Sequence, residues 1–195
     1  MSTPLQSLIA EVAEEMKIVR RRLHGRPEPA FEEFETAKLI SDHLGTIEGM
    51  EVKTGIGRTG VVGLLAGDRP GPCIALRADM DCLRMQEENS FSHASQRQGL
   101  MHGCGHDGHI ACLLGAAKVL GKVYEELPGP VKFIFQPAEE NFGGAAEMVA
   151  DGVLADPVPQ AVFALHGTPS LPCGQIGLCY GPMMAASRYF TIRVN

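Results

Sequence analysis

The sequence predicts an α/β fold in which a mixed, mostly parallel sheet is flanked by helices. Amphipathic stretches with apolar spacings of three and four alternate along the chain with short runs rich in Val, Ile and Ala. One run, VKFIFQ at 131–136, is apolar almost throughout, as a strand covered on both faces must be. Finally, three runs stop abruptly at residues that carry chemistry: Asp79 and Asp81, Glu139 and Glu140, and His166. Open α/β sheets place their sites at the carboxyl ends of strands, so these residues are expected along one rim.

The elements follow in order. Leu5, Leu8, Ile9, Val12, Met16, Val19 and Leu23 predict an amphipathic helix over 4–24, with Thr3-Pro4 at its start and Gly25 as its stop. The segment His24–Phe31 is punctuated by proline and reads as a turn whose polar ends are His24 and Glu28. A second helix is expected at 31–45, with Phe31, Phe34, Ala37, Ile40 and Leu44 on one face. Strands are expected at Glu51–Thr54, Val61–Ala66 and Cys73–Arg77, with GDRPGP at 67–72 making a tight hairpin-type connection. Residues 83–100 are polar and aperiodic, a long surface loop of the kind that tends to carry function. A helix at 109–120, the 131–136 strand, a helix at 143–151 and a strand at Ala161–Leu165 complete the pattern.

Composition narrows the function. The chain has 195 residues, enough for one sizeable α/β domain, with 45% hydrophobic and 21% charged residues. Its net charge of −6, without a basic stripe, argues against a nucleic-acid partner. No apolar run is long enough to span a bilayer. Glu11, Glu14 and Glu15 interrupt the N-terminal apolar residues, so this stretch does not read as a signal peptide, and a cytoplasmic protein is expected. The six cysteines show no paired pattern and read as free thiols. Cys73 in a strand, Cys112 on the apolar helix face, and Cys173 and Cys179 around a Gly-rich strand are expected to be structural.

The densest chemistry lies in Met101–His109, MHGCGHDGH, where His102, Cys104, His106, Asp107 and His109 fall within nine residues. Thiolate, imidazole and carboxylate are metal ligands, and the intervening glycines let the backbone crowd an ion. The same stretch also reads as a His-rich helix start with a buried cysteine, and Asp79 and Asp81 as turn aspartates. Together with Glu139, Glu140 and His166, however, the donors exceed what one tetrahedral ion takes, which points to two ions sharing a bridging group. In an extended segment neighbouring side chains diverge, so Glu139 and Glu140 should not both bind the same ion. One can ligate while the other serves as general base.

Five segments in order, RRRLHGRPEPAFEE, ALRADMDCLRMQEEN, GLMHGCGHDGHIACLLGAAKVL, FQPAEENFGGAAEMVADGVL and LHGTPSLPCGQIG with the later GPMMA, closely resemble the hippurate hydrolase and indoleacetyl-amino-acid hydrolase branch of the aminoacylase/carboxypeptidase metallopeptidases. The resemblance covers nearly the whole chain from residue 20 and implies a zinc-exopeptidase-like fold. It further implies a metal-dependent amidohydrolase that cleaves N-acyl amino acids with two divalent ions, Mn, Zn, Co or Ni. Carried over by motif, Cys104 (as a bridge), His106, Glu140 and His166 match metal ligands. Glu139 matches the general base, and Asp79 matches an acidic residue that orients a ligand.

Arg84 and Thr168 depart from the usual pattern, in which Pro and a bulkier residue stand at these places. Family members are about twice as long by resemblance, with an inserted dimerisation domain and a late His ligand. The expectation is therefore an incomplete catalytic domain over 1–187, with 188–195 (RYFTIRVN) as the opening strand of a truncated lid domain, and a full-length homodimer or higher oligomer built through that lid. A non-catalytic metal-binding fragment is the alternative for the chain itself. Within enzymes, a dipeptidase or carboxypeptidase is the alternative. Arg77-Ala78-Asp79, where such peptidases carry His-x-Asp, tells against it.

Overall fold

The computed structural model describes residues 5–66, 70–140, 143–183 and 190–194. Helix α1 (Leu5–His24) buries Leu8, Val12, Met16, Val19 and Leu23, the stripe its spacing predicted. Helix α2 (Phe34–Leu44) starts three residues later than expected. Phe31 precedes it with a φ of 62°, and the Arg58 guanidinium lies 4.2 Å from its ring centroid. Phe34 is exposed, and the buried face is instead Thr36, Leu39, Ile40 and Leu44. The cause is Glu28, which accepts the N–H groups of Glu35 and Thr36 at 3.3 and 2.8 Å and so caps α2 from outside.

Strands β1 (Met50–Ile56), β2 (Gly60–Leu65), β3 (Cys73–Asp79), β4 (Val131–Gln136) and β5 (Pro159–Ala164) form one sheet in the order β1-β2-β4-β3-β5. β1 with β2 and β2 with β4 are antiparallel, whereas β3 is parallel to both β4 and β5. β4 is thus inserted between β2 and β3, so the expected hairpin-type connection at 67–72 is not one; residues 67–69 lie outside the described residues. Helix α3 (His106–Gly121) runs between α1 and the sheet and is buried on most of its surface. Helix α4 (Gly144–Ala150) packs on the opposite face.

Strand alternation divides the core between the two faces. Val61, Leu65, Ala78, Phe133 and Phe135 meet α1, α2 and α3, while Val62, Ala75 and Ile134 meet Met148 of α4 and Val153. Phe133 and Phe135 are fully buried, each contributing about 2–3 kcal/mol of hydrophobic stabilisation. β5 has little cover; Val162 and Phe163, on alternate faces, are both exposed. No helix among the described residues is long and apolar enough to cross a membrane.

The C-terminal stretch departs from expectation. No strand forms around Cys173 and Cys179, and both are exposed. Of the strand expected at 188–195, Phe190–Val194 forms none; 188, 189 and 195 lie outside the described residues. Cys112 is on the solvent side of α3, not its apolar face, because α3 turns its other positions to α1 and the sheet. Cys82 is buried, and burial together with the Asp81 charge pushes its thiol up to about 12. In the native chain a small maleimide should therefore label Cys112, Cys173 and Cys179 rapidly, and Cys73 and Cys82 only on unfolding. Peptide mapping by mass spectrometry after a short pulse checks this, and native-rate labelling of Cys82 would contradict the packing.

Candidate metal centre

Because β3, β4 and β5 are parallel, their carboxyl ends lie on one rim, and the chain leaves each strand there with polar residues. Two aspartates after the centre of β3 organise this rim. Asp79 is 1% exposed; its Oδ1 accepts from His109 Nδ1 at 2.6 Å and its Oδ2 from Arg77 Nη1 at 2.8 Å. Burial alone would raise its pKa, but the His109 bond and the charges of His106 and Arg77 outweigh that and hold it at about 2. Arg77 in turn donates to Gln136 at the end of β4, at 2.9 Å.

Asp81 is fully buried and accepts the backbone N–H groups of Glu139 and Glu140, one on each oxygen, both at 3.0 Å. Its carbonyl oxygen accepts His106 Nδ1 at 2.8 Å. That bond leaves His106 Nε2 as the atom presented to the rim. Nε2 is buried and has no hydrogen-bond partner, with Asp79 Oδ2 at 3.5 Å, Glu140 Oε1 at 3.8 Å and Glu139 Oε2 at 3.9 Å around it. Burial lowers the His106 pKa, yet Asp81 and Asp79 raise it further, so the net shift is upward. An imidazole whose Nδ1–H is tied to a carbonyl offers Nε2 to a proton or a cation.

Cys104 comes from the loop leading into α3. Gly105 follows it at a φ of 86°, a conformation glycine adopts without penalty, and α3 begins at once with His106. The helix thus starts three residues earlier than the expected 109–120, which places His106 and His109 one turn apart on the same face. Cys104 Sγ lies 3.4 Å from His166 Nε2. Burial and then the carboxylates of Glu140, Asp79 and Glu139 push the thiol up to about 12. A thiol in such surroundings ionises when a cation enters, which reverses the sign of the local field.

Among the described residues three donor sets each gather within 4.8 Å: Cys104, His106 and His166; Asp79, His106 and His109; and His106, Glu139 and Glu140. His106 belongs to all three. The orphaned Nε2 and the mixed thiol, imidazole and carboxylate donors fit divalent metal ions of borderline softness. Glu139 is partly exposed, and burial followed by the neighbouring Glu140 charge raises its pKa.

The six residues to which the resemblance gives roles, Asp79, Cys104, His106, Glu139, Glu140 and His166, meet at this rim. Asp81, expected there beside Asp79, and His109 also belong to it. The i, i+3 spacing of His106 and His109 signals His109 once the helix start is placed correctly; Asp81 repeats the strand alternation of Asp79. His109 Nε2 accepts Gly167 N–H at 2.8 Å, joining the segment after β5 to β3. His102 instead turns inward, both ring nitrogens without hydrogen-bond partners, and burial lowers its pKa to about 4. His24 is no exposed turn residue either. It is buried between Asp107 Oδ2 at 3.0 Å and Glu87 Oε1 at 3.1 Å, and so moors loop 83–100 to the first turn of α3.

Fold and rim together define an α/β protein equipped for divalent metal, with the donors delivered by parallel strands and one helix start. The chain belongs to peptidase family M20/M25/M40, whose family model matches residues 75–194. It is 44% identical over 191 residues to an N-acyl-L-amino acid amidohydrolase of Geobacillus stearothermophilus, covering 97% of this chain and 51% of the relative. It is 46% identical over 177 residues to the IAA-amino acid hydrolase ILR1-like 4 of Arabidopsis thaliana, covering 91% of this chain and 39% of the relative. The Bacillus subtilis YXEP protein, described as a dinuclear metal-binding peptidase of the M20 family, superposes with a TM-score of 0.82 at 40% identity, over 91% of this chain and 48% of that one. The chain spans about half the length, or less, of these relatives.

Asp79 gives the rim a pH signature. Its pKa in the fold lies below the ordinary 3.8, so its contribution is full above about pH 4 and is lost as the pH falls towards 2. Asp79→Asn should cost about 2 kcal/mol near pH 6, and the gap to wild type should close on acidification. Urea unfolding from pH 6 to pH 2.5 measures the gap; a gap independent of pH would contradict this.

Proposed function

We propose that the complete protein is a dinuclear metal amidohydrolase that cleaves the amide bond of N-acyl amino acids such as hippurate. The observation that carries this reading is His106 Nε2, buried and unpartnered amid Cys104, Glu139, Glu140 and Asp79. Support comes from the family and from the amidohydrolases that the chain resembles over nearly its whole length. In this reading Cys104, His106, Glu140 and His166 would hold the two ions in this chain. Two divalent ions held there would polarise the scissile carbonyl and acidify a water. Asp79 would steady the set through His109, whose Nε2 holds the Gly167 N–H next to His166.

Glu139 is the general base. Its carboxylate takes a proton from the attacking water as the oxygen adds to the acyl carbon. It then passes that proton to the amide nitrogen as the C–N bond breaks, releasing the carboxylic acid and the free amino acid. Residues 1–187 would form part of the catalytic domain and 188–195 would lead into a lid through which the complete cytoplasmic enzyme forms a homodimer or higher oligomer.

Two measurements test the roles. Glu139→Gln should lower kcat of the complete enzyme on hippurate by about 10²–10⁴-fold while metal content stays near wild type. Glu140→Gln should lose metal and activity together; metal loss in the first variant and retention in the second would reverse the assignment. Elemental analysis under saturating metal should find two ions per chain, reduced by Cys104→Ser but not by Cys112→Ser. Equal effects of the two serine substitutions, or a firm stoichiometry of one, would overturn the two-ion site.

A further inference from the structure

The strap Ala138–Glu140, between β4 and α4, is held by groups remote in sequence. Ala138 is buried with a φ of 50°, a conformation that residues with a Cβ rarely adopt unless their surroundings enforce it. Its N–H donates at 2.9 Å to Oε1 of Glu33, in the turn before α2. The other Glu33 oxygen accepts the Thr59 hydroxyl, from the β1–β2 turn. The next two amides, of Glu139 and Glu140, donate to the two oxygens of Asp81. Three successive backbone N–H groups are therefore gripped by two carboxylates, each fully buried. The strap is further closed by Gly144 N–H, which donates to Ala138 O at 3.1 Å.

Glu33 lies outside every donor set at the rim. A carboxylate buried this deeply is costly unless its oxygens are satisfied, and here one of them is spent on the residue just before the glutamate pair. We propose that Glu33 is a positioning residue: with Asp81 it clamps the strap in its unusual backbone conformation and thereby aims Glu139 and Glu140 at His106. The inference rests on the metal-centre reading above for its consequence, but the clamp itself can be observed without metal.

Chemistry separates the substitutions that preserve the clamp from those that break it. In Glu33→Gln the amide oxygen still accepts Ala138 N–H, and the NH₂ can donate to Thr59, whose hydroxyl reverses its role. In Glu33→Met the shape persists and the acceptor is gone. Cobalt(II) titration of the 195-residue chain, followed by visible and thiolate charge-transfer absorption, should show Kd raised about 10–100-fold in Glu33→Met and changed by no more than about threefold in Glu33→Gln. Adding Ala138→Gly to Glu33→Met relieves the positive φ, and should recover affinity by at least about threefold, although it removes a buried methyl. Wild-type affinity in Glu33→Met, or equal loss in the Gln and Met variants, overturns the proposal.

Amide NMR of the metal-free chain gives a second decision that holds even if Glu33→Met fails to fold. The Ala138 amide proton should exchange slowly in both wild type and Glu33→Gln, because each keeps an oxygen to accept it; rapid exchange in wild type overturns the clamp. Where Glu33→Met folds, its strap amides should also exchange faster than in wild type. If the wild-type chain takes up no cobalt, its own donors do not hold an ion unaided, and the amide data alone decide the clamp.

Discussion

The structure depends on two buried carboxylates at the end of β3. Asp79 and Asp81 lie two residues apart where the strand leaves the sheet, and almost every group at the rim is fixed by one or the other. Asp79 holds His109 and Arg77, and through them Gly167 after β5 and Gln136 of β4. Asp81 holds the Glu139 and Glu140 amides, while its carbonyl sets the tautomer of His106. A buried carboxylate is unfavourable in isolation, and the penalty is offset only when both oxygens are filled. That requirement forces β4, β5 and the start of α3 into a single relative placement.

The arrangement amounts to preorganisation. Donor side chains that had to find their positions when an ion arrived would lose conformational entropy at that moment. Here the backbone of the glutamate strap and the ring of His106 are set by bonds made on folding. The His24, Asp107 and Glu87 cluster extends this support backwards, tying α1 and loop 83–100 to the helix turn that carries His106. The long polar loop is thus an anchored strap over the helix start, with Glu87 buried as its peg.

Much of the fold is legible in the linear pattern. The period of α1, the apolar run of β4 and the donor-rich ends of three strands all translate into elements and a shared rim, because periodicity and strand direction are local properties. Three readings failed for reasons that are not local. Phe31 and Phe34 continue the apolar spacing of α2, but capping by Glu28 starts the helix later and leaves Phe34 exposed. The segment at 67–72 has turn composition, yet β4 occupies the place beside β2 that a hairpin would need. Cys112 lies in an apolar stretch, yet a central helix still has one solvent side.

The sequence by itself determined which chemistry is present: thiol, imidazole and carboxylate in a glycine-flanked cluster, with acidic pairs at strand ends. Composition and spacing suffice for that, since ligand types and strand termini are written in the order of residues. The tertiary structure alone decided which of those groups face each other. It brought His106 and His109 to the rim and left His102 out of every donor set there, because α3 begins at His106 on a glycine of positive φ. It also gave Asp81 its partners, 58 and 59 residues away, and recruited Glu33, whose partner lies 105 residues away. Contacts over such distances follow from parallel strand pairing and the need to satisfy buried polar atoms, and no local pattern encodes them.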